Sequence, residues 1–129
     1  MMTPQAASKV QPPVVAVVDG DPAVCNSLKF SLEVEGFRVR TYGGGTELLR
    51  ADLDGCACFV VDQKMPGMSG LELIAKLRER AISAPAILIV SQPSVILSAR
   101  AATAKVPIVE KPFLGNALVD RIREACERG

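Results

Sequence analysis

The chain has 129 residues, of which 49% are hydrophobic, and this favours a single domain with its own core. Lys and Arg number 15 against 14 Asp and Glu, and this near balance indicates neither a nucleic-acid partner nor a membrane surface. No apolar run approaches the roughly 18 residues of a membrane span, and no secretory signal opens the chain. The composition therefore predicts a cytoplasmic domain whose four cysteines are reduced thiols rather than zinc ligands.

The first residues of the chain differ in character from the rest. Residues 1–13 contain three prolines and small polar residues and predict a disordered tail, and residues 14–129 then form the folded domain. The β-branched run Val14–Val18 is typical of a strand buried on both faces. Asp21-Pro22 predicts the start of a helix, because Asp caps the first amides and Pro fits the first helical position.

Strand and helix signals alternate through the next segment. Gly36 is expected to end the first helix. Residues 37–41 alternate apolar and charged side chains, which is typical of a half-exposed edge strand. Thr46 is expected to cap a short helix. The apolar run over residues 58–61 predicts a buried strand that ends at Asp62.

Two further strands and three helices complete the pattern. Residues 86–90 predict a buried strand that ends at Ser91, and residues 94–104 predict an Ala-rich helix. Residues 106–109 predict a fifth strand, which Pro107 assigns to an edge. The helix between the third and fourth strands is expected to bury Leu73, Ile74, Leu77 and Ala81, and the last helix Leu114, Leu118, Ile122 and Cys126.

This alternation predicts an α/β fold with a (βα)₅ doubly wound parallel sheet. The second and fifth strands carry edge signatures, so the strand order 2-1-3-4-5 places both at the edges. That is the flavodoxin-like order, in which ligands bind at the carboxyl ends of the strands.

Polar residues follow these strand ends. Asp19 follows strand 1, Asp62 ends strand 3, Ser91 follows strand 4 and Lys111 follows strand 5. Two carboxylates suit a hard cation such as Mg²⁺, and a hydroxyl and an ammonium can bind phosphoryl oxygens. Such a site can accept a phosphoryl group on a carboxylate as an acyl phosphate.

Three segments carry further motifs: residues 62–70 (Asp-Gln-Lys-Met-Pro-Gly-Met-Ser-Gly), residues 111–113 (Lys-Pro-Phe) and residues 17–22 (Val-Val-Asp-Gly-Asp-Pro). In this order they resemble the phosphoacceptor loop, the Lys-Pro signature and the acidic first loop of response-regulator receiver domains in two-component signalling. The likeness covers about residues 14–127 and is strongest to receivers that precede helix-turn-helix output domains in proteobacterial regulators. It implies a flavodoxin-like signalling phosphoprotein, active in a phosphorelay, rather than an enzyme.

The resemblance also implies a role for each matching residue. Asp62 matches the phosphoacceptor, Ser91 the switch hydroxyl, Lys111 the phosphoryl-binding lysine and Pro112 the cis proline. Ile108 stands where the family usually has the aromatic residue of its conformational switch, and the stretch from Ser91 to Lys111 is shorter than is usual.

The implied cofactor is Mg²⁺. Its expected protein ligands are Asp62, the backbone carbonyl of Lys64 and Asp19, and Asp21 is interpreted as a helix cap that could also reach the metal. Gly20 stands where the family has a second acidic residue, which is usually the direct ligand. We therefore expect weak Mg²⁺ binding.

The expected function is that of a single-domain response regulator that takes a phosphoryl group from a sensor histidine kinase or a histidine phosphotransfer protein and signals to a downstream protein target. A degenerate receiver that binds partners without phosphorylation is the alternative, favoured by Gly20 and Ile108. A phosphohydrolase on the same fold is disfavoured, because Lys64 stands where such enzymes have a second aspartate. A flavin-binding module is also disfavoured, since no Ser/Thr-rich loop follows the first strand.

The apolar residues Val95, Ile96 and Leu97 could belong to the core, to a partner surface or to both. We expect them to contribute to a homodimer or partner contact on the face formed by the fourth helix, fifth strand and fifth helix, since exposed apolar patches often mark partner surfaces.

Overall fold

Five strands alternate with five helices in the computed structural model, which describes residues 12–111 and 116–128. The strands are β1 (Val14–Val18), β2 (Arg38–Tyr42), β3 (Cys56–Asp62), β4 (Ala86–Val90) and β5 (Ile108–Glu110). The helices are α1 (Pro22–Val34), α2 (Gly45–Leu49), α3 (Gly70–Glu79), α4 (Val95–Thr103) and α5 (Ala117–Arg128).

The strands form one parallel sheet in the order β2-β1-β3-β4-β5, which confirms the predicted flavodoxin-like arrangement. β1 and β4 are buried along their whole length, as their continuous apolar runs predict. β2 alternates exposed arginines with buried Val39 and lies at one edge of the sheet. The parallel strands end at the same edge of the sheet, and the candidate site lies there.

Alternate residues of each strand point to opposite faces of the sheet, and each face has its own core. Ala16 and Val18 face one cluster, which the side chains of α2, α3 and α4 complete with residues such as Leu48, Leu73 and Ala101. Val15 and Val17 face the second cluster, which the side chains of α1 and α5 complete with Leu28, Leu32, Leu118 and Ile122. Helices thus pack on both faces of the sheet behind the strand ends.

Three local predictions were wrong. Ala81 is exposed rather than buried, because α3 ends at Glu79 and Ala81 adopts a left-handed conformation (φ 62°) that turns the chain outward. α2 begins at Gly45 with Gly44 at its N-cap, so Thr46 lies inside the helix. β5 begins at Ile108, because the N–H of Val106 donates to the carbonyl of Ala101 in α4 instead of joining the sheet.

The predicted tail lies outside the described residues, apart from Pro12 and Pro13. The carbonyl of Pro13 accepts a hydrogen bond from the N–H of Arg38 (3.0 Å). Of the helices in the described ranges, none combines the length and the apolar character that crossing a bilayer requires.

Candidate functional site

The ends of β1, β3 and β5 bring two carboxylates and an ammonium together. Lys111 Nζ lies 3.3 Å from Asp19 Oδ2 and 3.3 Å from Asp62 Oδ1. Asp19 is 5% exposed and Asp62 8%, and they are the only buried charged side chains in the part of the chain that the structure describes. Burying charges is costly unless they are paired, so Lys111 stabilises a pair of carboxylates that would otherwise repel each other.

Asp19 is held in place by its neighbours on β2 and α1. Its N–H donates to the carbonyl of Tyr42 (3.1 Å), which extends the pairing of β1 with β2 by one residue. The N–H of Asp21 donates to Asp19 Oδ1 (2.9 Å), and the thiol of Cys25 donates to the Asp19 carbonyl (3.3 Å). One carboxylate oxygen is therefore fixed by the backbone while the other faces Lys111.

Asp62 is positioned by the close approach of α3 to the end of β3. A Cβ at Gly70 would lie 2.7 Å from the carbonyl oxygen of Asp62, so only glycine allows this contact. The N–H of Gly70 donates to the carbonyl of Gln63 (3.0 Å), and the Gln63 side-chain oxygen accepts from the N–H of Leu71 (2.9 Å). The loop after Asp62 is thus bonded to the first turn of α3.

The two partners of the ion pair have shifted pKa values. Burial raises the pKa of Asp62, the nearby Asp19 carboxylate raises it further, and Lys111 only partly offsets both effects. For Lys111, burial works against the charged form, but Asp62 and Asp19 together outweigh it and raise the pKa of the ammonium. Lys111 is therefore charged at neutral pH, and ionisation of Asp62 lowers the stability of the folded state.

Ser91 and Lys64 lie on a cleft that opens beside Asp62. The cleft has a volume of about 590 Å³ and lies between the loop after β3 and the start of α4. Ser91 is exposed, and none of the hydrogen bonds among the described residues joins its hydroxyl to Asp62 or Lys111. The structure thus places Ser91 at the mouth of the same cleft as Asp62.

The sequence also singled out Asp21, Ile108 and Pro112, of which Pro112 falls outside the described residues. Asp21 Oδ1 accepts the N–H of Ala23 (2.9 Å), so this carboxylate caps α1, as the sequence predicted. Ile108 is half-buried and packs against the core cluster that also contacts Leu97.

Two positioning residues were not anticipated from the sequence. Gln63 and Cys25 bond to backbone groups beside the two carboxylates. In the sequence, Gln63 is marked only by its position next to Asp62, and Cys25 only by its position on the apolar face of α1. Many residues without a special role occupy such positions.

The oxygens at this site are of the kind that Mg²⁺ prefers, but they are few. Asp19 and Asp62 supply buried carboxylates, and Gly20 supplies no side chain. Among the described residues, no group of three acidic, histidine or cysteine side chains is arranged to hold a metal. The donor set fits a Mg²⁺ ion that keeps several of its waters, as this ion commonly does in proteins.

Most of the chain matches the sequence model of a known protein family. The family model described as "Response regulator receiver domain" matches residues 15–123. The chain belongs to the response-regulator receiver family. Receiver domains generally act as non-enzymatic signalling modules of two-component systems, bind Mg²⁺ in an acidic pocket and interact with histidine kinases or phosphotransfer proteins.

Curated relatives of this receiver are regulators of greater length. It is 34% identical over 128 residues to the "C4-dicarboxylate transport transcriptional regulatory protein DctD" of Pseudomonas aeruginosa, a match that covers 98% of this chain and 28% of the relative. It is 33% identical over 115 residues to the "Transcriptional regulatory protein FixJ" of Rhizobium meliloti, covering 88% of this chain and 56% of the relative. The chain therefore spans less than two thirds of each of these relatives.

Solved structures share the fold. The crystal structure of FixJ-N aligns with a TM-score of 0.83 at 31% identity and covers 93% of this receiver and 98% of that chain. The Vibrio cholerae chemotaxis protein CheY4 aligns with a TM-score of 0.80 at 20% identity, covering 90% and 99% of the two chains, which is a likeness of fold alone.

The raised pKa of Asp62 leads to a prediction about stability. Because the folded receiver holds the Asp62 proton more tightly than the unfolded chain does, the stability linked to this group falls as the pH rises through its folded-state pKa. Asp62→Asn is therefore expected to increase the free energy of unfolding at pH 7, by on the order of 1 kcal/mol. The gain should shrink as the pH is lowered toward the ordinary Asp value of 3.8.

Urea unfolding of both proteins between pH 4 and pH 7 measures this difference. Asp54→Asn, which replaces an exposed carboxylate, is the matched control and is expected to change the free energy by less than ~0.5 kcal/mol. A loss of stability in Asp62→Asn at pH 7 would contradict the prediction.

Proposed function

We propose that this receiver takes a phosphoryl group on Asp62 from a phosphohistidine of a sensor histidine kinase or a histidine phosphotransfer protein, in the cytoplasm. The observation that supports the proposal most directly is the placing of Lys111 Nζ 3.3 Å from both Asp62 and Asp19 at the carboxyl edge of the sheet. A cation held at this point can neutralise the charge of an incoming phosphoryl group.

The chemistry follows from the groups present. A carboxylate oxygen of Asp62 attacks phosphorus, a P–O bond forms, and the P–N bond to the donor imidazole breaks. The imidazole nitrogen keeps the bonding electrons and takes up a proton from solvent. Lys111 binds an oxygen of the transferred group, and Ser91, at the mouth of the cleft, can donate its hydroxyl to another.

Mg²⁺ bound beside Asp62 would supply further positive charge for the transferred group. The residues that would hold it are Asp62, the Lys64 carbonyl and Asp19. Since Asp19 Oδ2 already faces Lys111 and Gly20 adds no carboxylate, we expect this receiver to bind Mg²⁺ weakly.

A small phosphoryl donor tests the proposal without knowledge of the partner. The receiver is incubated with phosphoramidate or acetyl phosphate, with and without Mg²⁺, and its intact mass is measured. We expect one phosphoryl adduct that hydroxylamine removes, as it does from acyl phosphates. The degenerate receiver, favoured by Gly20 and Ile108, predicts no adduct with either donor.

We further propose that the face made by α4, β5 and α5 pairs with a second copy of the chain. Val95 is 88% exposed and Ile96 is 74% exposed, whereas Leu97 packs against the core. In the described sheet β5 pairs only with β4, so its other edge forms no strand pairing within the described residues. A two-fold axis would bring each apolar patch onto its own copy, which is the usual geometry of dimers.

Ile96→Glu is expected to weaken this association at least about tenfold, because it places a charge in an apolar contact, and to leave the fold intact because the side chain is exposed. Sedimentation of the phosphorylated and unphosphorylated protein measures the association. Ser31→Glu on the exposed face of α1 is the matched control. A protein that sediments as a monomer at high concentration in both states would contradict the proposed dimer.

DctD and FixJ are named as transcriptional regulators. For this chain we predict action as a single domain that does not bind nucleic acid.

A further inference from the structure

The cleft beside Asp62 is larger than a phosphoryl group requires. Its volume of about 590 Å³ lies within the range of about 300–1,000 Å³ that is typical of sites for whole ligands. Met65, Val90 and Leu97 supply apolar surface to its walls. Among the lining residues that the structure describes, Asp62 and Lys64 are charged, with Lys64 exposed, and Gln63, Ser69, Ser91 and Gln92 add uncharged polar groups. An apolar group can therefore pack against the side of the cleft formed by Met65, Val90 and Leu97, and it does not displace water from any charged group of the described lining other than Asp62 and Lys64.

The position of the cleft decides what can reach it. If Asp62 takes a phosphoryl group from a protein, the donor's imidazole must come in line with the Asp62 carboxylate, and the donor's surface must cover the rim around it. The cleft begins at Asp62 itself and extends toward the start of α4. During transfer, a side chain close to the donor histidine is consequently brought to the mouth of this cleft.

We infer that this cleft receives an aliphatic side chain that the phosphoryl donor carries next to its phosphohistidine. The inference rests on the proposed function and adds that the receiver discriminates among phosphoryl donors. A donor with an aliphatic side chain beside its phosphohistidine fills the space against Met65 and Leu97. A donor with a small residue there leaves that space filled with water. Filling the cleft lowers the free energy of the transfer complex through burial of apolar surface.

Synthetic donors test this inference on the unsubstituted protein. Two short peptides carry a phosphohistidine that is flanked on both sides by leucine in one and by glycine in the other. Phosphoramidate, which has the same P–N bond and no side chain, is the reference donor. We expect the leucine peptide to phosphorylate the receiver with a kcat/KM about tenfold above that of the glycine peptide, the ratio that corresponds to partial burial of one aliphatic side chain.

Two methionines of one loop provide matched variants. Met65 lines the cleft, whereas Met68 packs against Gly45 and is not among the lining residues. Met65→Gln keeps the length of the side chain but removes its apolar character, and is expected to abolish the preference for the leucine peptide. Met68→Gln is expected to retain it. The rate with phosphoramidate should be the same in all three proteins, which shows that the acceptor is intact.

Equal kcat/KM values for the two peptides on the unsubstituted protein would overturn the inference, as would a leucine preference that survives Met65→Gln. If neither phosphoramidate nor either peptide labels the receiver, the proposed function fails, and the inference about the donor fails with it.

Discussion

Asp62→Asn is expected to reduce phosphorylation of this receiver by small donors and by a phosphorylated partner at least about 1,000-fold, because an amide oxygen is a far weaker nucleophile than a carboxylate. The substitution keeps the shape of the side chain at the end of β3. It also leaves Lys111 paired with Asp19, whose Oδ2 lies 3.3 Å from Nζ. The loss can therefore be attributed to the missing nucleophile rather than to a collapsed site.

Intact-mass measurement after incubation with phosphoramidate gives the labelled fraction of each protein. Asp54→Asn removes an exposed carboxylate from a loop and serves as the matched control, with labelling expected at the level of the original chain. Undiminished labelling of Asp62→Asn would assign the phosphoryl group to another residue, and peptide mapping would then locate it.

Gly20→Asp is expected to tighten Mg²⁺ binding about 10- to 100-fold, or ~1.4 to ~2.8 kcal/mol. A carboxylate beside a divalent ion contributes several kcal/mol of Coulomb energy at an effective dielectric constant of about 20, and displaced water offsets part of it. Position 20 can accept the side chain. A Cβ there would meet Pro66 Cδ at 3.7 Å and the Gly43 carbonyl oxygen at 3.9 Å, which are ordinary contacts.

Titration calorimetry with MgCl₂ measures the affinity of both proteins directly. Gly20→Asn is the control for size and polarity, and its gain should be much smaller because it adds no charge. Gly20→Asp should also speed both phosphorylation and the metal-dependent loss of the phosphoryl group, which the decay of the labelled form measures. An unchanged Mg²⁺ affinity in Gly20→Asp would mean that another group, with Asp21 first to be considered, already supplies the ligand.

These two experiments also separate the receiver from its degenerate alternative. The chain keeps the nucleophile and the lysine but has glycine at position 20 and Ile108 in place of an aromatic residue. A receiver that labels on Asp62 yet binds Mg²⁺ weakly would show that Lys111 and the buried setting of Asp62 suffice for acceptance. If the receiver is phosphorylated only after the Gly20→Asp substitution, the absence of a carboxylate at position 20 had prevented phosphorylation.

The sequence by itself determined the order and type of the elements. β-branched runs of strand length, helical periodicity and glycine or proline at the boundaries are local signals, and they gave the five strands, five helices and the strand order that the structure has. The same reading placed Asp19, Asp62 and Lys111 at one edge of the sheet, because parallel strands end on the same side.

Only the tertiary structure decided how those residues meet. Asp19 and Lys111 are 92 positions apart, and their 3.3 Å contact depends on the packing of the strands between them. Likewise, local periodicity could not distinguish core from exposed residues in the apolar run at the start of α4. In the structure Leu97 packs against the core, whereas Val95 and Ile96 are exposed to solvent. Contacts between distant segments depend on how faces fit together, and no pattern within a single segment contains that information.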